Sequence, residues 1–243
     1  MIGLMTERDG YEAVAVPPGP DDPAGGGAPG SGRAMLRRRS ALPSRRCVLW
    51  LHWRRDAFAP EDLVSWYTQR GFHFYVADLR RRDGADFPAR RRQAPSRGEC
   101  LARLDTARRH LRDAEGIETL VVSAHAADAL TAALWCAAGR DAGVADALIL
   151  SSPAFGRRLR RSLDIACPVL VMSPASSERR DGRMRRGNGA QPSRLGSHVT
   201  WLRLEHGLDG QACAEGSDRR RVFDEIGRWL GAYMYGGVRD QLL

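Results

Sequence analysis

Acyl transfer by a serine enzyme needs an oxygen held at a sharp turn, a base beside it, and donors facing the charge that develops. The stretch of this chain best suited to present such a group is Thr119-Leu-Val-Val-Ser-Ala-His-Ala-Ala-Asp-Ala-Leu130. It reads as an apolar strand running abruptly into an alanine-rich helix. In a G-x-S-x-G turn of this kind the serine stands at the apex. Here the five positions are Ala124, His125, Ala126, Ala127 and Asp128, so a methyl group stands where the oxygen would be. An ionised Asp128 at that point would oppose a growing oxyanion. Its expected role is instead to cap the helix that follows.

Other chemistry-bearing residues offer no complete set. Ser123, Ser151, Ser152 and Ser173 lie near the carboxyl ends of predicted strands, where α/β sheets place ligands. Ser123 is expected to point into the sheet, and Ser151 and Ser152 toward the mouth of a cleft. No histidine is evidently paired with them. His125 reads as a packing residue of the turn, and His206 as a loop or surface histidine. The five cysteines, Cys47, Cys100, Cys136, Cys167 and Cys213, are never within four positions of one another. That spacing excludes the short zinc motifs, and the odd count argues against a full disulfide framework. Cys47, Cys136 and Cys167 fall in predicted core elements. No G-x-G-x-x-G or G-x-x-x-x-G-K-[ST] follows a strand, so neither standard nucleotide loop is expected. Neither a metal nor a cofactor is called for.

The elements that would position these residues alternate. Short strands are predicted at Tyr11–Val16 and Arg33–Arg38, around a Gly/Pro-rich loop from Pro17 to Arg33. Cys47–His52 is an apolar run of the kind buried on both faces of a parallel sheet. Pro60-Glu-Asp starts a helix with Leu63, Trp66 and Tyr67 on its apolar face, and Gly71 ends it. Strand Phe72–Ala77 follows, then a helix over Arg97–Asp113 with Leu101, Leu104, Arg108 and Leu111 near one face. Strand Thr119–Ser123, helix Ala127–Ala138, and strands Ala147–Ser151, Cys167–Met172 and His198–Leu204 come next. Asp218 is expected to cap a last helix whose apolar face holds Val222, Phe223, Ile226, Trp229, Leu230 and Tyr233. Strand–helix alternation predicts an α/β fold, a mostly parallel sheet with helices on both faces. Residues 1–45 read as N-terminal strands and loop of the same domain, 46–235 as its core, and 236–243 as a tail.

The 243 residues suit one sizeable core, and 43% hydrophobic content argues against wholesale disorder. No apolar run of transmembrane length occurs, and the first ten residues lack the basic start and apolar stretch of a secretory signal. A cytoplasmic protein is the expectation. The net charge of +9 is carried by arginine alone, since the chain has no lysine. The arginine clusters are interspersed with acidic residues and scattered over several loops, with no zinc finger, RNP-like strand or zipper. Only non-specific association with nucleic acid is anticipated.

Five segments, in order, resemble one family: Val48-Leu-Trp-Leu-His52-Trp, Gly71-Phe-His-Phe-Tyr-Val-Ala-Asp78-Leu-Arg80, Ala124-His-Ala-Ala-Asp-Ala-Leu-Thr131, Asp146-Ala-Leu-Ile-Leu-Ser-Ser-Pro153, and Gly196-Ser-His-Val-Thr200 through Trp229. They are similar to an actinobacterial branch of the α/β-hydrolase superfamily, the serine aminopeptidase S33 or hydrolase-4 group, which is lysophospholipase-like. The likeness covers about residues 10 to 235. It implies an α/β-hydrolase sheet and, for an intact member, serine-hydrolase activity. The branch carries A-H-S-T-G-G-L-T at its elbow, so its nucleophile falls on Ala126. Its oxyanion loop falls on His52 and Trp53, a bulky residue where the family keeps glycine, and its second donor on Ala127. Its base falls on Asp209 in His206-Gly-Leu-Asp209-Gly210, with His206 a displaced alternative. The triad acid falls on or near Asp181. The family's cap is missing, because only Ala154 to Ala166 separate Pro153 from Cys167. The resemblance therefore implies a catalytically degenerate hydrolase-like protein that binds a small molecule, lipid or protein in an open cleft. The alternative is a hydrolase of ester or amide bonds acting through a non-standard site, with Ser151, Ser152 or His206 as its weak candidates.

Overall fold

The computed structural model describes residues 10–17, 33–52, 61–79, 96–153, 155, 162–174, 194–204 and 216–234. Eight strands and four α-helices lie among them: β1 (Glu12–Val16), β2 (Arg33–Arg38), β3 (Arg46–His52), α1 (Glu61–Gln69), β4 (His73–Asp78), α2 (Arg97–Asp113), β5 (Thr119–His125), α3 (Asp128–Ala138), β6 (Ala147–Ser151), β7 (Val169–Pro174), β8 (Val199–Leu204) and α4 (Gly216–Met234). The chain divides into two compact units, Met1–Ala59 with Tyr67–Leu120, and Pro60–Trp66 with Val121–Leu243.

In the first unit β1 and β2 form an antiparallel pair with Val14 opposite Met35. β2 runs antiparallel to β4, and β3 runs parallel to β4 with Leu49 opposite Tyr75. Cys47 through Leu51 are all buried, as a strand covered on both faces must be. Helix α1 ends on Gly71, whose φ of 78° lets its N–H reach Thr68 O while the Phe72 N–H reaches Tyr67 O. That paired closure satisfies carbonyls left open at the helix end, and glycine adopts it without a Cβ penalty. Helix α2 begins on a capping box. Ser96 Oγ accepts from the Glu99 N–H at 3.2 Å, and Glu99 Oε2 accepts from the Ser96 N–H at 2.6 Å. Its buried stripe is Cys100, Leu104, Ala107 and Leu111, joined by Arg103 and Thr106. Leu101 and Arg108, expected on that face, are only partly buried. The Arg103 guanidinium donates to the Leu79 carbonyl.

A charged network pins the first hairpin to the end of α2. Arg37 is 8% exposed and donates to Glu12 at 2.6 Å and to Glu115. The Tyr75 hydroxyl donates to Glu115 at 3.2 Å, and Arg39 donates to Glu12 at 2.8 Å. The arginines hold the Glu12 carboxyl below the usual carboxylate range, the Arg37 hydrogen bond acting most strongly.

In the second unit β5, β6, β7 and β8 run parallel in that order, with Ser123 opposite Ile149, Ile149 opposite Leu170 and Leu170 opposite Thr200. β6 is buried along its whole length, whereas β8, paired on one side to β7, is only partly so. α4 buries Val222, Ile226, Trp229 and Leu230, and the Trp229 indole N–H donates to Thr200 Oγ1 at 3.0 Å. Trp66 of α1 lies against Phe223, ring centres 5.7 Å apart, and near Gly227. Tyr233, expected in that apolar face, is 46% exposed at its end. Asp218 is no cap. The helix begins at Gly216, two residues ahead of it.

Candidate functional site

The parallel register of β5 to β8 brings their carboxyl ends to one edge of the sheet. In open α/β sheets, ligands bind at that edge. β5 ends at His125, and the chain enters α3 at Asp128 through Ala126 and Ala127. Such a reversal leaves room for only two residues. Ala126 absorbs it with φ of 50°, in the left-handed region that costs a residue with a Cβ about 1–2 kcal/mol. Its N–H donates to the Ser151 carbonyl at 2.9 Å, which ties the apex to the end of β6. Ala126 is half-buried and Ala127 exposed.

Asp128 does not cap α3. The N-cap is Ala127, already helical at φ −70° and ψ −30°, and it makes no side-chain cap bond. Asp128 stands one step inside, in the first turn, where its negative charge suits the positive end of the helix dipole. Asp128 is thus two residues beyond the apex.

The neighbouring strand ends in a second left-handed residue. Ser152 has φ of 44° although it precedes Pro153, a position that favours extended backbone. Its N–H donates to Met172 O at 2.7 Å. Its hydroxyl oxygen is buried and has no hydrogen-bond partner among the described residues. Two non-glycine residues at positive φ therefore stand at the ends of adjacent strands, and strained backbone of this kind concentrates at functional sites. The sequence offered little signal for the second, because a residue before proline favours extended backbone.

The remaining serines are ordinary. Ser151 is 3% exposed and Ser123 is 2% exposed, so Ser151 does not open on a cleft mouth as expected. The Ser173 hydroxyl accepts from the Trp201 indole N–H at 2.8 Å. His125 ends β5 opposite Ser151. His52 ends β3 in the first unit, opposite Asp78 of β4. Trp53, Asp181, His206 and Asp209 lie outside the described residues. In the sequence, Asp181 follows the end of β7, and His206 and Asp209 follow the end of β8, two strands that finish at the same edge as Ala126. The short connection between β6 and β7 folds inward where it is described. Phe155 and Ile165 are buried, and the Ile165 N–H donates to Leu195 O at 3.1 Å.

Solved structures of hydrolases match over most of the chain. Est1E from Butyrivibrio proteoclasticus matches at a TM-score of 0.59 and 12% identity, covering 92% of this chain and 99% of its own. Dienelactone hydrolase from Anabaena variabilis matches at 0.60 and 10%, covering 92% and 97%. A soluble variant of monoglyceride lipase from Saccharomyces cerevisiae matches at 0.59 and 11%, covering 85% and 94%. The chain has the α/β-hydrolase fold. A mostly parallel central sheet with helices on both faces is the architecture it shares with them. No family model matches the sequence, and no curated protein does. Among the described residues, no helix is long and apolar enough to cross a membrane.

Proposed function

We propose that this chain is a catalytically degenerate relative of serine esterases and lysophospholipases, of the S33-like branch, which binds a small molecule or lipid without hydrolysing it. One observation carries this reading: the strained left-handed apex between β5 and α3 is kept, with φ of 50°, but the residue on it is Ala126. The strain is what a nucleophile's presentation requires, and a methyl group cannot attack a carbonyl. Asp128 adds a carboxylate where an oxyanion would need only donors. Matching structures are named as an esterase domain, a dienelactone hydrolase and a monoglyceride lipase, so ester-bearing or acyl compounds are the ligand class to try first. Short p-nitrophenyl esters, assayed with and without a serine-directed organophosphorus probe, test the reading. The expected result is hydrolysis no faster than the buffer blank. Turnover that the probe abolishes would overturn it.

Ser152 supports a second reading, an active hydrolase with a non-standard nucleophile. Its hydroxyl is hidden, and without a partner among the described residues, on a strained residue at the same sheet edge. Under that reading ester turnover is present and is lost in Ser152→Ala.

A further inference from the structure

Two thiols of the second unit are used by neither reading, and they meet. Cys136 is buried in α3, the helix that leaves the Ala126 apex and packs on β6. Cys167 stands two residues before β7, the parallel neighbour of β6, and is half-buried. The Leu148 N–H of β6 donates to Pro168 O at 3.0 Å, which holds the residue after Cys167 against β6. α3 lies on the strand beside which Cys167 is held, so Cys136 and Cys167 are neighbours whose thiols shift each other's pKa, Cys136 up and Cys167 down. The other described cysteines, Cys47 and Cys100, are buried in the first unit.

We propose that Cys136 and Cys167 are a redox pair that closes into a reversible disulfide under a hydroperoxide oxidant, with Cys167 the sulfur oxidised first. The partly exposed member meets the oxidant, and the buried member waits in contact to resolve it. The electrostatics divide the roles in the same way. The Cys136 thiol lowers the pKa of Cys167, favouring the thiolate that reacts, whereas Cys167 and burial push Cys136 up and keep it a thiol. In the first step the Cys167 thiolate attacks one peroxide oxygen. The S–O bond forms, the O–O bond breaks, and hydroxide leaves and takes up a proton as water. In the second step the Cys136 sulfur attacks the Cys167 sulfenic acid. The S–S bond forms, the S–O bond breaks, and a second water leaves with the thiol proton. The two sulfurs are oxidised by two electrons in total, and the peroxide is reduced to water. A small dithiol reverses the bond by exchange. Closing it fastens α3, and with it the apex helix, to the strand that leads toward the Asp181 segment.

The test uses the full chain and hydrogen peroxide. After oxidation, remaining thiols are alkylated, the protein is digested without reductant, and cross-linked peptides are mapped by mass spectrometry. The expected product joins the peptides holding Cys136 and Cys167, and dithiothreitol abolishes it. Cys47 and Cys100 remain as alkylatable as in untreated protein. In Cys136→Ser, dimedone is expected to trap a sulfenic acid at Cys167 that it does not trap in the unsubstituted protein. Should Cys136→Ser fail to fold, Cys136→Ala provides the same reading. Over-oxidation of Cys167 without a cross-link, or a cross-link to Cys213 instead, would overturn the proposal.

Discussion

Replacing Ala126 by glycine should leave the protein as stable as before or slightly more so, whereas the same change at Ala132 should weaken it clearly. At φ of 50°, alanine carries about 1–2 kcal/mol of left-handed strain that glycine does not. Against this, glycine gains freedom in the unfolded chain that costs about 0.4–1 kcal/mol. Ala126 is only half-buried, so its methyl forfeits less than the ~0.8 kcal/mol of a fully buried carbon. Taken at mid-range, the three terms leave Ala126→Gly about 0.4 kcal/mol more stable, with a spread of about 1 kcal/mol either way. Ala132 is fully buried inside α3. There, glycine loses about 1 kcal/mol of helix propensity and a whole methyl burial, roughly 2 kcal/mol together. Urea unfolding followed by circular dichroism separates the two variants, since slopes are about 1–3 kcal/mol/M and a loss of about 2 kcal/mol moves the midpoint by several tenths molar or more. If Ala126→Gly weakens the protein as much as Ala132→Gly, the residue after β5 is not left-handed and the sharp turn is not there.

Other consequences follow from particular contacts. Arg37→Ala should destabilise the protein by about 2–3 kcal/mol, because it leaves Glu115 and Tyr75 without the cation that they face, and the double variant with Glu115→Gln should recover part of that loss. The Glu12 carboxyl is depressed by Arg37, so its contribution is present above the ordinary carboxylate pKa and is lost as pH falls through the lower folded value. Glu12→Gln should accordingly flatten the acid limb of a stability–pH profile and leave its alkaline limb unchanged. Gly196 has φ of 147°, and a Cβ there would lie 2.7 Å from the Ile165 carbonyl oxygen. Gly196→Ala should therefore lower the urea midpoint by an amount corresponding to about 1–3 kcal/mol.

The order of strands and helices was legible because burial leaves period and punctuation in the sequence. α2 runs over Arg97–Asp113 as its pattern indicates. β2 and β6 also keep their expected bounds. β7 begins at Val169 rather than Cys167, because Pro168 has no N–H to give a ladder. The α2 stripe shifted because Arg103, not Leu101, buries its stem and carries its guanidinium to a distant carbonyl. The contents of the site were harder to read. That Ala126 would be left-handed follows from the two-residue reversal, but the same strain at Ser152 runs against the extended backbone that a residue before proline favours. Asp128 looked like a cap because a carboxylate before a helix usually is one. The helix begins at Asp128 itself, with Ala127 as its N-cap, so Asp128 stands inside the first turn rather than before it. Contacts between residues far apart in sequence, such as Arg37 with Glu115 or Cys136 with Cys167, leave no local pattern.

Intact-mass analysis after saturating treatment with a fluorophosphonate tests most directly whether the apex lacks an attacking atom. The unlabelled mass should be all that is seen in the folded protein, and Ala126→Ser is the matched control that returns a hydroxyl to the turn. A stoichiometric adduct on the unsubstituted chain, mapped to Ser152 or any other serine, would mean that a working nucleophile exists.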